Sequence, residues 1–108
     1  MKIANHHLKA ERIETSLNCL GEDDWEMKIE AAMLAGTHWA NCALHRRGVT
    51  SESEDIVHNS MLVVSMLRKY SLAEGELLGA LTEIEGSRAA ARALELLRFI
   101  GALAKRSI

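Results

Sequence analysis

His38, Cys42 and His45 lie at steps of four and three residues in one unbroken segment, so a helix there carries them on a single stripe. Asp55 and His58 follow beyond a loop, three positions apart. Imidazole, thiolate and carboxylate groups are ligands for zinc and related ions, and histidine and aspartate also serve as general acids and bases. A short turn that returns Asp55 and His58 to the end of this helix would bring them against His45. The result would be a small metal or acid–base site, with His38 or Cys42 as further members. The plainer alternative treats the same residues as packing. His38 and Cys42 would then be core or interface positions, while His45 near a helix C-terminus and Asp55 in a first turn would each suit the helix dipole. No strong metal signature is present: there is no H-E-x-x-H, and Cys19 and Cys42 are too far apart for a cysteine pair. No cofactor and no resident metal are therefore expected.

The remaining groups offer less. His6 and His7 stand at the free end of a first helix and are expected to be solvated. The glycines are scattered, so no phosphate-cradling loop exists, and there is no serine or cysteine nucleophile motif. The segment 22–30 is acidic and the segment after 86 is basic, against a formal net charge of −2 that gives no overall attraction to nucleic acid. Arg88 and Arg92 are the candidates for an RNA contact, in competition with pairing to nearby Glu95.

These residues must be positioned by helices. Proline is absent and aromatic residues make up only 4%, so long segments run without a breaker and strand-forming patterns do not develop. The apolar stripe Ile3, Ala10, Ile13, Leu17 and Leu20 predicts a first helix from Ile3 to Leu20, ended by Gly21. Asp23 with Glu26 forms a capping-box pattern opening a second helix from Asp24 to Arg47, with Gly48 as its stop. Ser51 with Glu54 signals a third helix to about Tyr70. Ser71 with Glu74 opens a short fourth, with Leu77, Leu78, Leu81 and Ile84 inward. A last helix follows Gly86–Ser87 with Ala90, Leu94, Leu97, Ile100 and Leu103 on its stripe. The expected fold is an all-α, four- or five-helix up-and-down bundle with a long central second helix, forming a single domain over residues 1–108.

The second helix is apolar on two faces. It must be covered from both sides, and its small residues allow close approach of neighbours. This points to a homodimer in which Trp39, Ala32, Gly36, Ala40 and Ala43 contribute to the interface. No apolar run reaches the ~18 residues of a membrane span, and the polar N-terminus lacks a signal-peptide core. A cytoplasmic address with reduced cysteines is expected.

The stretch "AAMLAGTHWANCALHRRG", the following "DIVHN" and the later "LTEIEGSR" together resemble the HEPN superfamily over roughly residues 25–92. That resemblance implies a four- or five-helix bundle, commonly a homodimer, often partnered with a small nucleotidyltransferase in toxin–antitoxin or defence systems. Many members are ribonucleases with an arginine followed shortly by a histidine at the dimer interface. Here Arg88 takes the arginine position, but Ala93, Leu94 and Glu95 stand where histidine is needed, so the ribonuclease role is not carried over. The leading expectation is a non-catalytic, dimeric HEPN-like module that binds a partner protein of nucleotidyltransferase type, or RNA or a nucleotide. The alternatives are a small metal-dependent or acid–base enzyme built on His45, Asp55 and His58, and a structural homo-oligomer without ligand.

Overall fold

A computed structural model describes residues 1–56, 79–81, 83–84 and 90–106. The chain is an all-α helical bundle, with no strand among the described residues. Three helices frame it: α1 (Ile3–Leu17), α2 (Trp25–Arg46) and α3 (Ala90–Arg106). Residues 79–81, 83 and 84 are also helical, and Leu81 and Ile84 are buried as their pattern predicts. The helix expected from Ser51 to Tyr70 falls mostly outside the described residues, as do His58 and Arg88. None of the described helices is long and apolar enough to cross a membrane.

The α1 stripe is Ile3, His6, Ala10, Ile13 and Leu17, which are buried or partly buried at steps of three and four. The helix stops at Leu17, short of the expected Leu20. Asn18 caps it, and bonds from Cys19 N–H to Ser16 O and from Leu20 N–H to Leu17 O tighten the exit into a turn before Gly21.

α2 packs against both α1 and α3, and the chain itself covers both faces of its C-terminal half, while Trp25, Met27 and Leu34 nearer its start are exposed. From Ala35 to His45 every residue but half-buried His38 is buried. Two glycines set the α2 contacts. A Cβ on Gly36 would come within 3.1 Å of Leu81 Cδ1, and one on Gly101 of α3 would meet the Trp39 indole at 3.5 Å. Trp39 thus lies across α3 where that helix has no side chain, with Lys105 Nζ 5.3 Å from the ring centroid. Its Nε1–H donates to Glu14 Oε1 at 3.0 Å, and His7 meets it edge-on at 4.9 Å.

This corrects the expected interface. Trp39, Ala32, Ala40 and Ala43 are fully buried, and Gly36 is buried too, all in the core of a single chain. A dimer contact would need a different surface, because the small residues serve helix packing within the protomer.

The end of α2 decides where the chain goes next. Gly48 adopts φ +73°, a conformation glycine takes without a Cβ penalty. Gly48 N–H donates to His45 O and Val49 N–H to Leu44 O, the paired bonds of a Schellman stop. The chain turns back beside its own helix, and Thr50 lands against His45. The expected helix start at Ser51 is not formed. Residues 51–56 are a turn and an irregular stretch, in which Glu54 Oε1 accepts from Ser51 N–H (3.0 Å) and Ser51 Oγ (2.9 Å). The capping residues thus close a turn instead of opening a helix.

Candidate metal centre

Three elements deliver one side chain each to a common point. His6 comes from the first turns of α1, His45 from the last turn of α2, and Asp55 from the segment after the Schellman turn. His6 Nε2 and His45 Nε2 each lie 2.8 Å from the same oxygen, Asp55 Oδ1. The ligand-capable atoms of the three residues all fall within 4.8 Å of one another. His6 is 2% exposed, and the His45 side chain 1%, so the two rings are withdrawn from solvent while the carboxylate stays partly open.

Asp55 is held in place by α2. Asn41 is buried and pairs with the backbone of the next residue: Ile56 N–H donates to Asn41 Oδ1 (2.7 Å), and Asn41 Nδ2 donates to Ile56 O (2.8 Å). This two-bond clamp fixes the register of the 55–56 segment along the helix. The second carboxylate oxygen, Oδ2, accepts from the Met1 amine at 2.8 Å, and that amine also donates to Glu52 O.

Each ring is also gripped at its far nitrogen. His45 Nδ1 is 2.6 Å from Thr50 Oγ1, and His6 Nδ1 is 3.0 Å from His38 Nδ1. Burial disfavours the charged form of Asp55, but hydrogen bonds from the Met1 amine, His6 and His45 outweigh it and hold the carboxyl well below its usual range. Burial pushes the His6 pKa down, against the pull of Asp55. Burial, then the neighbouring His6 and Lys9, lowers that of His38. An ionised Asp55 accepts Nε2–H bonds from both rings, and His6 is neutral. His6 then has a bare Nδ1, and the short His6–His38 contact requires the proton on His38 Nδ1. The network is a chain running from His38 through His6 and Asp55 to His45 and Thr50.

A cavity of about 230 Å³ opens beside this chain, lined by His6, His38 and Asp55 at its polar end and by Leu34 and Ile56 on its apolar walls. It meets α2 at Thr37, whose hydroxyl is turned back to Met33 O at 2.8 Å.

The expected pairing of His45 with Asp55 is present, and His38 joins through His6. His58 lies outside the described residues. Cys42 is fully buried, its thiol pKa raised by that burial, and it is not part of the cluster. His6 is the correction: it was expected in solvent and is instead central. Its position was legible in one respect, since the stripe from Ile3 to Ala10 skips a helical turn that only residue 6 or 7 can fill. Of the two arginines proposed for RNA, Arg92 is exposed and already engaged, at 2.7 Å from Glu83 and 3.1 Å from Glu95. Arg88 is outside the described residues.

No family model, no curated protein and no solved structure matches this chain.

Proposed function

We propose that the protein binds a divalent first-row transition ion through His6 Nε2, His45 Nε2 and Asp55. Two imidazoles and one carboxylate suit zinc or non-haem iron(II), and three protein ligands leave room for an exogenous one. The observation that carries this reading is the convergence of two buried Nε2 atoms on one carboxylate oxygen, with each Nδ1 backed by a side chain. Ligating histidines characteristically present one nitrogen to the metal and anchor the other, which fixes ring and tautomer. This is the metal-dependent form of the enzyme alternative, with His6 supplied by α1.

Elemental analysis of protein purified without added metal, followed by zinc(II) and cobalt(II) titration of chelator-treated chain, tests it. One ion per chain, lost in His6→Gln and in Asp55→Asn, is the expected result. A chain that neither carries nor takes up such an ion sinks the proposal.

A second reading keeps the HEPN-like partner-binding module. Its support is an apolar groove of about 300 Å³ between α1 and α2, where Ile13, Leu20, Met27 and Leu34 meet and Met27 is 59% exposed. Light scattering and a pull-down from the native host test it. A monodisperse monomer with nothing co-purifying would remove its support.

A further inference from the structure

The first half of α2 carries apolar surface that the protomer leaves open. Ile13, Leu20, Met27 and Leu34 line the groove of about 300 Å³ between α1 and α2, and Met27 and Leu34 are 59% and 38% exposed. Trp39 and the small residues of α2 serve helix packing within the protomer, so a dimer contact has to draw on surface of this kind.

Charge is distributed unevenly along the groove. α1 and α2 run antiparallel: His6 meets His38 and His45 at one end, while Leu20 and Met27 share the groove at the other. The Leu20–Met27 end carries Glu22, Asp23, Asp24 and Glu26, all exposed, against half-buried Lys28 as the one cation within 22–28. The opposite end carries exposed Lys9 and Arg12 of α1. Arg12 lines the groove, and Lys9 acts electrostatically on His38, one turn of α2 beyond Leu34. The apolar stretch between these ends, from Met27 to Leu34, is about 10 Å long at 1.5 Å per residue. That is about one Debye length at 0.1 M salt, so the two charged ends of one protomer screen each other poorly.

This polarity selects an occupant. Two copies can lay their grooves face to face about a two-fold axis that runs along the helices or across them. An axis along the helices stacks acidic end on acidic end and basic end on basic end. An axis across them reverses one copy, and each acidic end then meets the basic end of the other, twice per dimer. We propose, as the occupant of the groove in the partner-module reading above, a second copy of this chain laid antiparallel in this way. Met27 and Leu34 form the apolar centre, and Lys9 and Arg12 of each protomer lie against the 22–26 acids of the other. Burial of the centre supplies affinity, and the charged ends fix orientation. His6, His45 and Asp55 take no part, so the metal-binding reading stands or falls separately.

The test is sedimentation equilibrium of the full chain over a concentration series. At low ionic strength the mass should approach twice 11.9 kDa, with dissociation favoured by added sodium chloride. Met27→Gln removes an exposed apolar contact without changing charge and should weaken the dimer on the order of tenfold to a hundredfold. Lys9→Glu with Arg12→Glu in one chain, and Glu22→Lys with Glu26→Lys in another, should each weaken it by a similar factor. Mixed one to one, these two charge-reversed chains should form a heterodimer, because both of its end contacts are again between opposite charges. Circular dichroism melts confirm that each variant is folded.

A wild-type chain that stays monomeric at low salt overturns the inference. So does a dimer indifferent to Met27→Gln, which would lie on another surface, or a failure of the two reversed chains to pair. A monomer that holds a different protein, released by Met27→Gln, overturns self-association and leaves the partner-module reading in place. A monomer that holds nothing overturns both.

Discussion

Asn41 places both ends of its side-chain amide on the backbone of Ile56, accepting from the Ile56 N–H at 2.7 Å and donating to its carbonyl at 2.8 Å. The pair is buried, and it is what sets Asp55 beside His6 and His45. Asn41→Leu keeps the volume and removes both bonds, leaving two backbone groups without their partner. Each such loss costs ~1–3 kcal/mol, so the variant should be destabilised by about 2–6 kcal/mol in urea unfolding. Its zinc affinity should fall as well, because Asp55 loses its fixed register. Wild-type affinity in a folded Asn41→Leu chain would show that Asp55 is positioned by something else.

Acid should weaken the metal-free chain in two stages. His6 and His38 have native pKa values below 6.5, so the unfolded chain binds more protons than the native one as pH drops past about that value. Stability then declines with falling pH down to the native pKa values. Asp55 acts in the opposite charge sense but the same direction. Its carboxyl is held below the ordinary 3.8, so its contribution is complete above that pH and is lost as pH falls toward its low native pKa. Thermal melts of chelator-treated protein should therefore show Tm falling between pH 7 and 5, then more steeply below 4. A Tm unchanged from pH 7 to 5 would contradict the lowered native pKa values of His6 and His38.

Glycines in two helical segments should respond in opposite ways to an added side chain. Gly36 of α2 faces Leu81, Ile84 and Ile100, with its missing Cβ only 3.1 Å from Leu81 Cδ1. Gly36→Val forces that contact apart and should cost ~1–3 kcal/mol by overpacking. Gly79 is helical and exposed and has nothing within 4 Å of its missing Cβ. Gly79→Ala should add ~0.5–1 kcal/mol through helix propensity alone. Chemical denaturation of the two variants checks both signs.

Much of the fold was legible because it is written locally. The absence of proline, the α1 stripe and Gly48 after Arg46–Arg47 all act within a few residues of the feature they produce. The same locality explains the misreading at Ser51–Glu54. A capping box and a side-chain-closed turn use the same two side chains, and the distant contacts of this segment, among them the Asn41 clamp on Ile56 and the Asp55 bonds to His6 and His45, are not visible at that spacing. Trp39 was misplaced for a related reason: its core site exists because Gly101, far along the chain, leaves α3 bare beneath the indole. The candidate site was half legible. His45 and Asp55 are joined by a short turn, whereas His6 reaches them by the packing of α1 on α2. The polar residues Asn5 and His7 beside it masked its place on the stripe.

Metal loading should stabilise the chain in a way that identifies the ligands. An ion that binds the native state alone adds about 2.7 kcal/mol when its free concentration is a hundred times its Kd. Zinc in that excess should raise Tm for the wild-type protein by several degrees, and the rise should vanish in His6→Gln and in Asp55→Asn. Cys42→Ala is the informative control. Cys42 shares the α2 stripe with His38 and His45 and has a thiol chemically suited to zinc, yet it is fully buried apart from the cluster. Its removal should lower baseline stability through a small core void while leaving the zinc-dependent rise intact. If Cys42→Ala abolished the rise instead, the thiol would be a ligand, and the centre would have to be rebuilt around the α2 stripe rather than around Asp55.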